Sequence, residues 1–162
     1  MVENPEHGMV VERDDVQPRI AVVSLLPSDS PPRGNVPTIL VIDDDVPTLE
    51  LLSAAFGLEG YRVVDAVNGR EGMLRMETDH PDVVLCDVLM PEVDGRGFSE
   101  AMHARAAFKN IPLVLVSAGQ ESGVAAGIEC TAFVEKPFSV GALVALVKQL
   151  IDHSQMVCGL DT

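Results

Sequence analysis

Asp43-Asp44-Asp45, Asp87, Ser117 and Lys136 each close a short apolar run: ILVI, VVLC, PLVLV and AFVE respectively. Carboxylates crowded on one rim cannot all stay ionised without cost. A divalent cation is the usual remedy, and two carboxylates completed by waters suit Mg2+. A lysine would add fixed positive charge, and a serine would add a hydroxyl donor. Each piece also has a plain structural use. An Asp after a strand often caps a helix or turn, and Asp45 reads that way. A Ser there is commonly a turn former, and a lone Lys is commonly solvated. Chemistry is indicated by the coincidence of all four at the ends of successive strands.

The elements that must position them follow from pattern. Strands are predicted at Ile39–Asp43, Tyr61–Ala66, Asp82–Asp87, Ile111–Ser117 and Thr131–Glu135. Runs such as VVLC and LVLV are apolar throughout rather than alternating, as in strands buried on both faces of a parallel sheet. Helices fill the gaps. Pro47 suits a first turn and Gly60 the position past a helix end. Asn68 and Ser139 are candidate N-caps. The last helix carries Val140, Leu143, Val144, Val147, Leu150 and Ile151 at three- and four-residue spacings. Its polar stripe is narrow, so Val140, Ala142, Leu146 or Ile151 should stay partly in solvent and offer an interface. The fold class is α/β, a doubly wound five-stranded parallel sheet with helices on both faces. Function in such sheets gathers at the carboxyl ends of the strands.

Composition narrows the function further. The chain has 162 residues, 11 Lys and Arg against 25 Asp and Glu, and a net charge of −14. So acidic a surface repels phosphate backbones and anionic lipid, which argues against nucleic-acid and membrane partners. Cys86, Cys130 and Cys158 are odd in number and lack CxxC spacing, so neither a disulfide framework nor a zinc site is indicated. A reducing, cytoplasmic location is expected. Residues 1–37 hold six of the eleven prolines and no aromatic residue. They read as a mostly disordered tail and linker. The apolar run Ile20–Leu26 within them could instead add a strand to a sheet edge. Residues 38–152 form the domain, and 153–162 a frayed tail.

Residues 38–152, about 70% of the chain, resemble the receiver domain of bacterial two-component response regulators. ILVIDDD resembles that family's first strand and acidic pair, and DVVLCDVLMPEVDG its phosphorylation segment. VLVSA resembles the strand that ends in a hydroxyl residue, and FVEKPF the Lys-Pro segment. The resemblance implies a flavodoxin-like strand order of 2-1-3-4-5. It implies that Asp87 is the phosphoacceptor, and that Asp43, Asp44, Asp87 and the backbone carbonyl of Leu89 hold Mg2+. Ser117 and Lys136 would contact the phosphoryl group. Ser117 and Phe133 would form the switch, and Lys136-Pro137 would be cis. Implied partners are a histidine kinase or histidine phosphotransfer protein and an unknown downstream protein. A homodimer through the last helix is a further possibility.

Three departures stand out. The Ser117–Lys136 stretch is a few residues short for the family and contains Gly119, Gly123 and Gly127, which predicts a short or irregular fourth helix. Phe133 lacks the hydroxyl an equivalent Tyr would carry. Leu89 and Gly119, two residues past Asp87 and Ser117, offer no polar side chain to orient water. The combined reading is a single-domain phosphoacceptor that signals through protein contacts, and not an enzyme. Its rivals are a phosphorylation-independent adaptor and a Mg2+-dependent phosphohydrolase with an Asp nucleophile. The hydrolase reading lacks the second acid usual two residues after the nucleophile, where Leu89 stands.

Overall fold

Strands without a polar side must be covered on both faces, and the computed structural model shows that arrangement. It describes residues 20–22, 36–118 and 126–158. The strands are β1 (Ile20–Val22), β2 (Thr38–Ile42), β3 (Arg62–Ala66), β4 (Val83–Asp87), β5 (Leu113–Ala118) and β6 (Ala132–Lys136). The helices are α1 (Val46–Leu58), α2 (Gly69–Asp79), α3 (Gly95–His103) and α4 (Val140–Cys158). The sheet order is β1-β6-β5-β4-β2-β3. Strands β2 to β6 are parallel and stand in the predicted 2-1-3-4-5 order when counted from Thr38. Beyond the five predicted strands, β1 adds a short antiparallel edge to β6.

The central strands divide their side chains between two cores, as a period of two requires. Ile39, Val41, Val83, Leu85, Val114 and Val116 meet Leu49, Leu52 and Phe56 of α1 and Leu143, Val147 and Leu150 of α4. Leu40, Ile42, Val84, Cys86, Leu113 and Leu115 meet Met76 of α2 and Phe98 and Met102 of α3. Every residue of β2 and β4 is buried. The strands thus run without slack up to Asp43 and Asp87.

Capping follows the sequence reading. The Asp45 carboxylate accepts from Thr48 N–H at 3.1 Å, and the Asn68 side chain accepts from Glu71 N–H at 2.8 Å. Ser139 Oγ accepts from Ala142 N–H at 3.3 Å. Gly60 follows α1 with φ +90°, a left-handed conformation that favours glycine. Proline stands in the first turn of α1, where its missing donor costs nothing.

Two expectations change. Leu146 and Ile151 are not solvent-facing: they are 4% and 3% exposed. α4 lies in the angle between the sheet and α1, so it is covered on two sides rather than one. Val140 and Ala142 remain half-buried. The helix also continues to Cys158, past the expected boundary at Asp152. The Gly-rich stretch predicted to form a short fourth helix lies largely at 119–125, outside the described residues.

Phe56 is fully buried and meets Tyr61 edge-on, with ring centroids 6.1 Å apart. Phe56→Ala should remove about 3–5 kcal/mol of stability through the cavity it leaves. Urea denaturation monitored by circular dichroism would measure the loss.

Candidate functional site

The parallel strands all end on one rim, and their register sets what meets there. β2 and β4 are neighbours, with Ile42 opposite Cys86, so the next residues, Asp43 and Asp87, stand side by side. β5 lies on the other side of β4, with Val116 opposite Asp87. Ser117 is the next residue of β5 and is fully buried. β6 follows, with Lys136 opposite Ala118. Asp43, Asp44, Asp87, Ser117 and Lys136 thus come from four successive elements of one sheet.

Carboxylate oxygens of Asp43, Asp44 and Asp87 all lie within 4.8 Å of one another. Asp43 and Asp87 are buried, whereas Asp44 is exposed. Lys136 reaches across two strands. Its Nζ donates to Asp87 Oδ2 at 3.3 Å and lies 3.5 Å from Asp43 Oδ2. Asp43 is held from below as well, since its Oδ1 accepts from Asp45 N–H at 2.9 Å. Ser117 Oγ donates to the Ala118 carbonyl at 3.2 Å.

Electrostatics follow from this crowding. Burial, then the neighbouring charge of Asp43, raises the Asp87 carboxyl from 3.8 to about 6, although Lys136 pulls the other way. Burial alone would lower the Lys136 pKa, but the carboxylates of Asp87 and Asp43 outweigh it and the net shift is upward. Burial also pushes the Cys86 thiol well up, and Cys86 packs in the core shared with α2 and α3.

The donor set fits a hard divalent cation. Three carboxylates converge, one is open to solvent, and a single lysine cannot neutralise all three. Leu89, whose carbonyl the resemblance nominates, lies two residues past Asp87 and is 45% exposed. Phe133 is half-buried, packs on the core shared by α2 and α3, and pairs in register with Leu115. Lys136–Pro137 is cis.

One positioning residue was not singled out from sequence. A Cβ on Gly95 would stand 2.8 Å from both the Asp87 carbonyl oxygen and Val88 Cα, which is backbone that cannot easily give way. Gly95 N–H donates to the Val88 carbonyl at 2.8 Å. The loop after Asp87 is thereby folded tightly onto the start of α3. The Asp94-Gly95 pair is a turn signal in sequence, but nothing in it reveals what the glycine packs against.

A family model described as the response regulator receiver domain matches residues 39–148. The chain belongs to this receiver-domain family. It is 32% identical over 124 residues to the "Probable transcriptional regulator ycf27" of Cyanophora paradoxa, covering 75% of this chain and 51% of that protein. It is 35% identical over 118 residues to the transcriptional regulatory protein PrrA of Mycobacterium tuberculosis, covering 71% and 50%. Among solved structures, it resembles the receiver domain of a signal transduction histidine kinase from Syntrophus aciditrophicus. The TM-score is 0.69 at 26% identity, with 73% of this chain and 92% of that one covered. The chain spans about half the length of these two curated relatives. Among the described residues, no helix of the receiver domain is long and apolar enough to cross a membrane.

The raised Asp87 pKa carries a stability consequence in metal-free protein. The folded state holds the Asp87 proton more tightly than the unfolded chain does. The resulting penalty is absent below about pH 4, grows as pH rises through about 6, and is complete above that. In EDTA at pH 7.5, Asp87→Asn should therefore melt a few degrees above wild type. The gap should close as pH falls toward 4. Calorimetry across that range would measure it.

Proposed function

We infer that Asp87 accepts a phosphoryl group from a phosphohistidine, carried by a histidine kinase or a histidine phosphotransfer protein. The observation that supports this most is the placement of Asp87 within reach of two further carboxylates and one ammonium group. An Asp87 carboxylate oxygen attacks phosphorus. The phosphorus–nitrogen bond breaks, and its electron pair leaves with the donor imidazole, producing an acyl phosphate. Such a transfer needs in-line positioning and neutralised equatorial oxygens more than covalent assistance. Lys136 can hold one of those oxygens, and Ser117 at the end of β5 can turn its hydroxyl toward another. Mg2+ held by Asp43, Asp44, Asp87 and the Leu89 carbonyl would supply the remaining positive charge.

Asp87 is nine-tenths buried and needs no second nucleophile for this role. The acyl phosphate replaces a singly charged carboxylate with a bulkier, more negative group beside Lys136. That change is local, and its readout would pass through β5 and β6. Downstream signalling by protein contact in the cytoplasm is part of the same proposal.

Two measurements test it. With acetyl phosphate and Mg2+, intact-mass spectrometry should show one added phosphoryl group, base-labile and mapped to Asp87. The label should vanish in Asp87→Asn, and label at the wild-type level in that variant would overturn the assignment.

Mg2+ should also raise the melting temperature of unphosphorylated protein by mass action on the folded state. Asp44→Ala should lose most of that rise while keeping its fold, since Asp44 is exposed. An undiminished response in Asp44→Ala would remove Asp44 from the metal site.

A further inference from the structure

The amino ends of β4 and β5 border a cavity of about 380 Å3 that the Asp87 site does not use. It is lined by Glu77, His80 and Pro81 at the end of α2, and by Ala107, Phe108 and Ile111 in the connection from α3 to β5. Pro81 stands two residues before β4 and Ile111 two before β5, so the cavity lies on the rim opposite Asp87. The length of β4 separates the two, about 13 Å at roughly 3.3 Å per residue. The volume is in the range of small-molecule sites, about 300–1,000 Å3.

Shape and charge together select a ligand class. Pro81, Ala107, Phe108 and Ile111 form an apolar wall. Pro81 and Phe108 are buried, and Ile111 packs on the core shared by α2 and α3, so the wall is fixed in place. A wall of this kind receives an aromatic body. The charge beside it is negative. Glu77 contributes a carboxylate, and α2 ends here, so its last carbonyls add the negative end of the helix dipole. No basic residue stands in the last turn of α2 to offset them. Lys109 is exposed and does not line the cavity. The net charge of −14 draws cations toward the whole surface.

Arg105 is the protein's own example of the recognition this implies. Its guanidinium lies over the Phe108 ring, 5.7 Å from the centroid, and pairs with the Glu77 carboxylate. A cation is thus already held by an aromatic face and a carboxylate that both belong to the cavity lining. Arg105 and Glu77 are each about half-exposed, and pairs so placed exchange at little cost.

We propose that this cavity binds a small aromatic amine. The ring lies against Phe108 and Ile111, and the ammonium group takes Glu77 in place of Arg105. Arg105 is then an internal competitor that swings out as the ligand enters. The proposal holds whether or not Asp87 accepts phosphoryl.

Titration of the full chain with 2-phenylethylamine, followed by backbone amide NMR shifts, tests it. The titration is run at about pH 8, where histidines are ordinarily neutral. Saturable shifts should be confined to residues 77–82 and 105–111. The uncharged analogue 2-phenylethanol should bind about fivefold more weakly, and Glu77→Gln should weaken the amine by a similar factor. Arg105→Gln should instead tighten the amine by about the same factor, because it removes the competitor. Arg70→Gln, the same charge change at the exposed far end of α2, should leave the affinity unaltered. The proposal is overturned if no saturation is seen at about 10 mM amine, or if amine and alcohol bind alike. It is equally overturned if Glu77→Gln has no effect, or if Arg105→Gln tightens binding no more than Arg70→Gln does.

Discussion

Negative charge gathered at the ends of two adjacent buried strands is the constraint that organises this chain. Asp43 follows β2 and Asp87 ends β4, and these strands lie side by side in the middle of the sheet. Neither carboxylate can retreat into solvent, because the strands carrying them are covered on both faces. Lys136 answers this from β6, two strands from β4, and bridges both acids. The parallel topology makes that reach possible, since it places all the strand ends on the same rim. An antiparallel arrangement of the same segments would send alternate ends to opposite rims.

That rim was legible in the sequence because its residues terminate continuous apolar runs. ILVI and VVLC have no polar face, so a strand ending in Asp43 or Asp87 had to be central. The caps were legible for a similar reason: Asp45, Asn68 and Ser139 have side chains that satisfy the first N–H groups of a helix. Gly95 was less legible. Its role depends on the Asp87 carbonyl and Val88 Cα lying against it, which local sequence does not encode.

The reading of α4 failed at Leu146 and Ile151 for a related reason. Periodicity reports which residues share a face, but not how many neighbours a helix has. Leu146 and Ile151 are both buried in the core cluster that α4 shares with α1 and the sheet. β1 shows the opposite limit. Its sequence is short and apolar and sits in a proline-rich context, so composition favoured a disordered tail. Pairing with β6 is a long-range event that no local window can weigh against that composition.

The β1–β6 pair also joins the first and the last of the described strands to be synthesised. β1 is the earliest of the described strands to be made, and β6 is the last. β1 therefore has no partner until the rest of the sheet has been translated. Closing so long a stretch of chain is entropically costly and favours late docking. The newly finished β6 is thus open for an interval before its cover arrives. On a polysome, where neighbouring chains are close together, that interval is when the fidelity of the fold is most exposed to a wrong neighbour.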